Sequence, residues 1–432
     1  MFFGENMQTP QHFNQALILR AREALNVDAL QRTLVHMLDQ HDALRLRFTY
    51  QGGRWTQHYQ PLSDCLRQVE QDPLLWVRDV ADEDALETAA NELQRSLDLE
   101  QGPLLRGLLA TLGNGEVRLL LVIHHLVIDG VSWRVLLQDL QAAYDAYCLG
   151  NAPQLPIRTS SVREWVDSLA GHAQTLKEQE LDYWLGQLDQ PDRALPCDNP
   201  RGKNLMCNRA EAAFSLSEVH TQQLLKDAPA VYQTQINDLL LTALSRAMCR
   251  WSGQPSILIQ LEGHGREDLF EEQDLSRTLG WFTSMFPVRL APSSQHDFGT
   301  SILAVRDQLA AVPNKGIGYG VLRYMADASV TEQLANLAAA RVTFNYLGQL
   351  DQSFDEQAML LPAPESVGDS FGADAPMANH LEWVGQVFNG QLAFRCIYSN
   401  RRYRASTMDA LAEQCQAELQ ALIEHCVMQS AA

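Results

Sequence analysis

The chain has 432 residues, with 33 Lys or Arg against 53 Asp or Glu, so its formal net charge is −20. Such an acidic chain is a poor partner for nucleic acids and anionic membranes, because their phosphates bind clustered Lys and Arg. A hydrophobic content of 46% excludes a disordered chain, and the length predicts roughly two or three folding units, or two lobes that share a cleft.

The first predicted elements form a helix and a strand. Apolar residues recur at helical spacing over residues 28–40, and either Asn26 or Asp28 can cap this helix. Apolar residues then alternate over 44–48, which predicts a strand. The sequence thus begins with alternating helix and strand, as in a mixed α/β protein.

A β-hairpin and a long helix follow. Residues 104–110 and 117–123 read as two strands joined by the turn Gly113-Asn114-Gly115. The second strand has no polar alternation, so we expect it to be covered on both faces. A helical pattern begins at Ser132, the predicted N-cap, and stops near Gly150.

The second half repeats this alternation. A polar, proline-containing stretch over 190–210 predicts the connection between halves. Apolar spacing predicts a helix over 236–251 and a strand over 256–261. Asn389-Gly390 between two strand-like runs predicts a hairpin, and a last helix is expected over about 406–427.

The most specific stretch is VIHHLVIDGVSWRVLLQDL, residues 122–140. His124 and His125 end the buried strand, and successive side chains of a strand point to opposite faces. One histidine should therefore be structural and the other free to act. An imidazole at a strand end is a suitable general base near neutral pH, although a lone histidine is more often a hydrogen-bonded core residue.

Asp129 and Gly130 follow the histidines and precede the helix. Asp129 has two interpretations, a second catalytic acid or a buried anchor that pairs with an arginine such as Arg289 and holds the loop. The anchor is favoured, because the intervening loop makes it difficult for Asp129 and His125 to approach the same substrate atom.

Glu262 is the second candidate for proton transfer. It can be a surface carboxylate in a charged run with Glu267 and Asp268, but it also ends an apolar strand and precedes Gly263, which permits close backbone approach. A partly buried carboxyl at this place would have a raised pKa suited to proton transfer. His264 is interpreted as a loop residue.

Several other kinds of site are not supported. The eight cysteines form no CxxC pair and no Cys/His cluster at metal-ligand spacing, so we expect reduced, mostly buried thiols and no metal. Gly316, Gly318 and Gly320 have the spacing GxGxG and a poor helix start, unlike a nucleotide-binding loop. The longest apolar run, 119–123, cannot span a membrane, so a cytoplasmic location is expected.

Five motifs in order resemble the epimerization domain of nonribosomal peptide synthetases, which belongs to one superfamily with condensation domains and chloramphenicol acetyltransferase. The resemblance covers nearly the whole chain and starts at MFFGENMQTPQHFNQALIL. The motifs are HHLVIDGVSW (124–133), LEGHGRE (261–267), TLGWFTSMFPVRL (278–290), PNKGIGYGVLRY (313–324) and FNYLGQ (344–349). The resemblance implies an α/β fold of two chloramphenicol acetyltransferase-like lobes, 1–185 and 186–432, arranged as a V with the active site in a tunnel at their interface.

The resemblance also implies site residues. His125 and Glu262 would be the acid/base pair on opposite sides of the tunnel, with Tyr346 as a third catalytic residue and Asn345 beside it. Residues that would support the site are His124, Asp129, Gly130, Ser132, Trp133 and Gly263. Trp281 and Phe282 are expected to line or support the tunnel.

The implied reaction is inversion at Cα of an aminoacyl or peptidyl thioester in antibiotic biosynthesis. The substrate would be carried on the phosphopantetheine of an upstream peptidyl carrier domain, with neighbouring synthetase modules as further partners and no cofactor of the domain's own. We also expect the domain edge to lie upstream of Met1 in a larger synthetase. The alternatives are a condensation domain, which would form an amide without needing Glu262, and a silent scaffolding lobe.

Overall fold

The structure is a computed structural model that describes residues 9–189, 194–293, 296–349 and 359–430. The strands are β1 Asn14–Ala21, β2 Leu46–Gln51, β3 Arg54–Tyr59, β4 Leu75–Val80, β5 Leu105–Leu112, β6 Val117–His124, β7 Arg209–Ser215, β8 Ile257–Gly263, β9 Ser284–Leu290, β10 Val342–Gln349, β11 Leu360–Pro362, β12 Leu381–Phe388 and β13 Gln391–Ser399. The helices are α1 Val27–Gln40, α2 Leu62–Gln71, α3 Glu83–Gln94, α4 Gly130–Cys148, α5 Val162–Leu188, α6 Glu218–Gln222, α7 Ala228–Tyr232, α8 Ile236–Ser252, α9 Phe298–Ala310, α10 Ile317–Tyr324, α11 Ala328–Ala335 and α12 Ala405–Ser430.

The chain divides into two compact units, each assembled from three segments. Unit 1 contains residues 1–168, 268–282 and 354–375, and unit 2 contains residues 169–267, 283–353 and 376–432. The chain first passes from unit 1 to unit 2 within α5. The proposed lobes 1–185 and 186–432 stay a prediction, and residues 1–8 of the N-terminal motif and Pro191 of the predicted connection lie outside the described residues.

Unit 1 is built on a mixed sheet with the strand order β11-β1-β6-β5-β4. Strand β6 lies between β1 and β5, antiparallel to both, and the run Leu119–Ile123 is completely buried. One face of the sheet packs against α3 through Leu120 and Val122. Leu121 and Ile123 belong to the hydrophobic cluster of the other face, which includes residues of α1 and α4. The predicted covering of this strand on both faces is confirmed.

Unit 2 is built on a second sheet with the strand order β7-β13-β12-β10-β8-β9. Strand β10 is parallel to both β8 and β12, so the carboxyl ends of these three strands lie at one edge of the sheet. Helices α8 and α12 pack against each other in this unit. The sheet thereby places Glu262, at the end of β8, beside the end of β10.

Most of the predicted elements are present. The helix over 28–40 is α1, and Asn26 is its N-cap, because its side chain accepts from the backbone amide of Ala29. The hairpin at Asn389-Gly390 joins β12 to β13, and both turn residues have positive φ, as this turn requires.

Two local predictions are wrong. Helix α4 begins before Ser132, since the side chain of Asp129 is its N-cap and accepts from the Ser132 amide. Aspartate is as good a cap as serine, and both residue types stood at the start of this pattern. The strand expected over 256–261 continues to Gly263, so Glu262 lies in the strand and not in the following loop.

Candidate functional site

The two adjacent histidines of unit 1 have different surroundings. His124 ends β6, is completely buried, and donates from Nε2 to the carbonyl of Pro10 at 2.9 Å, while its Nδ1 accepts from the Leu126 amide. Burial lowers the pKa of His124 to about 4. His124 is therefore a neutral residue that holds the chain in place.

His125 follows the strand and is partly buried among aromatic rings. Its ring lies 4.2 Å from Trp281 and 5.4 Å from Phe13, centroid to centroid. Nδ1 is 3.0 Å from the carbonyl oxygen of Ile128, and Nε2 is 3.0 Å from the side-chain nitrogen of Gln15. Burial lowers the pKa of His125 below its ordinary value, so the imidazole is neutral at neutral pH.

Asp129 holds together the loop that follows the histidines. Oδ1 accepts from the amide and the hydroxyl of Ser132, both at 2.8 Å, and Oδ2 accepts from the Phe282 amide at 3.0 Å. The Ser132 hydroxyl oxygen also accepts from the backbone amide of Gly280 at 3.2 Å. These bonds hold the loop, as the anchor interpretation of Asp129 expects, while its pairing with an arginine stays a prediction. They also explain how Trp281, which precedes Phe282, is held against His125.

Gly130 and Trp133 complete the first turn of α4. Gly130 is the first helical residue, directly after the Asp129 cap. Trp133 is buried and donates from its indole nitrogen to the side-chain oxygen of Gln15 at 2.8 Å. The motif therefore builds the surroundings of His125 from the start of the helix as well as from the strand.

In unit 2, Glu262 is a partly buried carboxyl at the end of β8. Its Oε2 accepts from the side-chain amide of Asn345 at 2.6 Å. Burial, followed by the charge of Glu382, raises the pKa of Glu262 to about 7. A surface carboxylate would not have this pKa, so the charged-run interpretation does not describe Glu262.

The glycine after Glu262 lies in close packing. A Cβ at Gly263 would lie 2.7 Å from the hydroxyl of Ser284, so any side chain here would force Ser284 to move. His264 then turns into a polar loop, where Nε2 is 3.3 Å from the carboxyl of Glu267 and Lys315 lies 2.9 Å from the other oxygen of that carboxyl. His264 is thus a loop residue, as the sequence predicted.

Asn345 and Tyr346 are consecutive residues of β10 and point to opposite faces of the strand. Asn345 meets Glu262, whereas Tyr346 shares the face of the buried Phe344. Burial raises the pKa of Tyr346, so its hydroxyl keeps its proton at neutral pH. The structure brings Asn345 to Glu262, and the catalytic role of Tyr346 stays a prediction.

Three residues near the candidate groups were missed by the sequence interpretation: Phe13 and Gln15 beside His125, and Glu382 near Glu262. Phe13 and Gln15 belong to the stretch HFNQA, which was noted only as part of the family resemblance. Alternation in β1 could have placed both on one face, with Asn14 on the other. The proximity of Glu382 to Glu262 could not be predicted, because no local sequence pattern links strand β12 to strand β8.

The GxGxG segment differs from the prediction in one respect. Gly316 directly precedes helix α10, so a helix does begin there. A Cβ at Gly318 would overlap a carboxyl oxygen of Glu180, which fills the space beside the segment. Negative charge at this place is unsuited to a phosphate, so a nucleotide site remains unsupported.

The described residues contain no cluster of metal ligands and no membrane-spanning helix. Within the described ranges, no three His, Cys, Asp or Glu side chains gather as metal ligands. All eight cysteines are free thiols and five are buried, as predicted. In the same part of the chain, the helices all lack the length or apolarity required to cross a bilayer.

His125 belongs to unit 1 and Glu262 to unit 2. That the imidazole and the carboxyl face each other in a tunnel stays a prediction. What the geometry gives is one neutral imidazole and one carboxyl of raised pKa, each at the end of a strand and each held by an amide side chain. Such groups can move protons near neutral pH.

Comparisons with known proteins find relatives that match the whole chain. The chain is similar to two different subunits of the linear gramicidin synthase of Brevibacillus parabrevis, at 39% identity over 436 residues and at 40% identity over 430 residues. These matches cover 100% and 98% of the chain but only 6% and 8% of the relatives. The chain therefore spans less than a tenth of the length of these two proteins.

A solved structure is similar along its full length. The epimerization domain from the third module of tyrocidine synthetase B superposes with a TM-score of 0.90 at 31% identity, covering 99% of this chain and 96% of that one. The similarity confirms the predicted α/β fold of two chloramphenicol acetyltransferase-like lobes and the resemblance stated from the motifs. The profile of the condensation domain matches residues 1–432, so this chain belongs to the condensation-domain family of peptide synthetases.

Proposed function

We propose that this domain is an epimerase that interconverts the L and D configurations at Cα of an aminoacyl or peptidyl thioester. The thioester is carried on the 4′-phosphopantetheine arm of an upstream carrier domain in a longer synthetase. The domain contributes no cofactor, because the thioester carbonyl acidifies the α-proton and two side chains are sufficient to move it.

The observation that carries the proposal is the state of Glu262. Its pKa of about 7 keeps much of the carboxyl protonated near neutral pH, so it can deliver a proton as well as accept one. The side chain also receives a 2.6 Å hydrogen bond from Asn345, which fixes its orientation. Inversion at Cα requires a carboxyl that can deliver a proton, and amide formation does not.

The surroundings of His125 supply the complementary group. Its lowered pKa leaves the imidazole neutral and able to accept a proton while Glu262 is still protonated. The pair therefore rests as a base and an acid, which is the starting state for removing a proton from one face of Cα and adding one to the other.

The reaction moves two protons, one from Cα and one to Cα. The Cα–H bond breaks, its electron pair forms the enolate of the thioester, and the proton goes to Nε2 of His125. Glu262 then gives its proton to the opposite face of Cα, and the carbonyl re-forms. The pair is left as imidazolium and carboxylate, ready for the reverse reaction or for proton exchange with water.

The enolate oxygen needs a hydrogen-bond donor. Tyr346, whose raised pKa keeps its hydroxyl protonated, is one candidate. A backbone amide at Gly263 or Gly265 is the other, since these glycines border Glu262 in the chain. Tyr346→Phe distinguishes them, because it removes the hydroxyl and leaves the backbone unchanged.

A condensation domain remains the second candidate. The neutral imidazole of His125 could equally assist an amine that attacks a thioester. Amide formation has no use for a carboxyl that delivers a proton to Cα, so Glu262 separates the two functions. The two reactions also give different products from one mixture.

The test is isotope exchange on a loaded carrier domain. The carrier is charged with an L-aminoacyl or L-peptidyl thioester and incubated with the domain in D2O, and the released acid is analysed by chiral chromatography and mass spectrometry. We expect both enantiomers, with deuterium at Cα. Amide product from an added aminoacyl carrier, with no deuterium at Cα, would instead establish condensation.

Matched variants link the exchange to the two residues. His125→Ala is expected to abolish exchange in at least one direction, and Glu262→Gln is expected to lose turnover while remaining folded. Exposed residues of the same two types provide controls, His58→Ala in β3 and Glu332→Gln in α11. Full exchange in either active-site variant would remove that residue from the proposal.

A further inference from the structure

Gln15 of β1 lies between His125 and Trp133, and its amide contacts both. The side-chain nitrogen of Gln15 is 3.0 Å from Nε2 of His125, and the side-chain oxygen is 2.8 Å from the indole nitrogen of Trp133. Asn14, the preceding residue, points to the other face and donates to Gln94. Gln15 is therefore directed at His125 by the strand itself.

The orientation of the Gln15 amide follows from Trp133. An indole nitrogen can only donate a hydrogen bond, so the atom of Gln15 that faces it must be the oxygen. The NH2 group must then face His125, and an NH2 group only donates. Nε2 of His125 is consequently the acceptor and carries no proton.

The contact at Nδ1, on the other side of the imidazole, independently indicates the same tautomer. Nδ1 lies 3.0 Å from the carbonyl oxygen of Ile128, which can only accept. Nδ1 therefore carries the proton. Two contacts, one to Gln15 and one to Ile128, select the same neutral tautomer of His125.

The neighbouring histidine is held in the opposite tautomer. Nε2 of His124 faces the carbonyl of Pro10, and its Nδ1 accepts from the Leu126 amide, so its proton is on Nε2. The two adjacent histidines therefore carry their protons on different ring nitrogens, so a spectrum of one can be compared with that of the other. The tautomer of each histidine is set by its own hydrogen-bond partners.

The surroundings resist protonation of His125. An imidazolium carries protons on both nitrogens, and the proton on Nε2 would then point at the NH2 group of Gln15. The ionisable groups nearby are His124, which is neutral, and Asp129, whose charge acts in the opposite direction and favours the imidazolium. Phe13, which stacks on the ring, and Trp281, whose ring is tilted against it, bring no charge.

We propose that Gln15 is a positioning residue that holds His125 as the neutral Nδ1–H tautomer and covers its Nε2 lone pair until substrate displaces the amide. The inference rests on the proposed function, in which Nε2 takes the α-proton. It adds the residue that prepares the base for that step.

The first test is the tautomer in the wild-type domain. With 15N-labelled histidine, long-range proton–nitrogen correlation spectra at pH 8 distinguish protonated from unprotonated ring nitrogens. We expect His125 to show an unprotonated Nε2 and His124 an unprotonated Nδ1, with His125→Ala used to assign the signals. An Nε2–H tautomer at His125 overturns the inference.

The second test reverses the hydrogen bond. In Gln15→Glu, one carboxylate oxygen can still accept from Trp133 while the other accepts from His125, so both ring nitrogens become donors. We expect the pKa of His125 to rise and kcat for exchange at pH 7 to fall on the order of tenfold or more, with KM little changed and activity partly restored at higher pH.

Controls separate this role from a structural one. Gln57→Glu adds the same charge to exposed strand β3 and should leave the His125 titration and the exchange rate unchanged. Gln15→Leu removes both hydrogen bonds without adding charge. The share of the Nε2–H tautomer at His125 should then rise above that of wild type, because only the Ile128 carbonyl still selects the Nδ1–H form. A wild-type His125 titration and tautomer in both Gln15 variants would refute the inference.

The two proposals fail in different ways. Full exchange by His125→Ala would refute the catalytic role, whatever tautomer the spectra show. An Nε2–H tautomer in an active wild-type domain would refute the role of Gln15 and the choice of Nε2 as the accepting atom, and it would leave His125 and Glu262 as the acid/base pair.

Discussion

The side-chain amide of Asn345 donates to Oε2 of Glu262 at 2.6 Å, across the neighbouring parallel strands β10 and β8. A donor to a carboxyl favours the charged form and so opposes the effect of burial. Burial, followed by the charge of Glu382, raises the pKa of Glu262 to about 7. On the general rule, the Asn345 amide acts in the opposite direction. Changing either neighbour should move this pKa in a known direction.

Asn345→Leu should raise the pKa of Glu262 above about 7. Leucine has a similar volume but cannot donate, so the charged carboxylate loses its partner. The upper limb of the pH profile for deuterium exchange should move to higher pH. Asn336→Leu, at an exposed position after α11, is the control, and an unmoved limb in Asn345→Leu would mean that the amide does not contribute.

Glu382→Gln should lower the pKa of Glu262. Glu382 lies opposite Thr343 in the register of β12 and β10, and its own pKa is raised by burial. Glutamine keeps the shape of the side chain and removes the charge that acts on Glu262. The carboxyl carbon of Glu262, followed by 13C NMR titration, should report the decrease; the same titration curve as wild type would contradict it.

The sequence predicted the elements of both units because their signals are local. Helical spacing over 28–40, the hairpin at 389–390 and the buried strand over 119–123 each depend on a few neighbouring residues, and all three are present. Strand alternation also separated His124 from His125. These signals require no knowledge of which strands pair.

The residues that surround His125 and Glu262 could not be predicted from neighbouring positions in the sequence. Gln15 is 110 residues from His125 in the chain, and Asn345 is 83 residues from Glu262. The predicted cap of α4 was Ser132, and the observed cap is Asp129. Serine and aspartate are equally good caps, so residue type cannot distinguish them, and only the path of the chain selects Asp129. Sheet pairing decides these contacts, and one sequence contains no direct record of pairing.

Asp129→Asn should destabilise unit 1 and weaken exchange. The asparagine oxygen can still accept from Ser132, but its NH2 group would then face the Phe282 amide, which is also a donor. An unsatisfied buried donor costs about 1–3 kcal/mol. A lower urea midpoint, together with a larger Trp281 accessibility to fluorescence quenchers, would support this role.

Asp145→Asn is the matched control for that change, since Asp145 lies on the exposed side of the same helix, α4. It should leave the free energy of unfolding within about 0.5 kcal/mol of wild type. An Asp129→Asn variant as stable as this control would show that the loop does not depend on the carboxylate.

Glu262→Gln should make the folded domain more stable above neutral pH while removing exchange activity. The pKa of Glu262 rises from 4.5 to about 7 on folding, so between these values the unfolded chain releases a proton that the folded chain retains. The free energy of unfolding therefore falls as pH rises through this window, at about 1.4 kcal/mol per unit. The carboxyl costs the wild-type domain up to about 3 kcal/mol at about pH 8.

Glutamine carries no charge at any of these pH values and can still accept from Asn345. Urea unfolding of wild type and Glu262→Gln should give similar midpoints near pH 4.5 and a higher midpoint for the variant near pH 8, with Glu332→Gln unchanged from wild type at both. A difference that does not grow with pH would show that Glu262 ionises normally. The proposed role of Glu262 in proton transfer would account for a carboxyl that lowers stability at this pH.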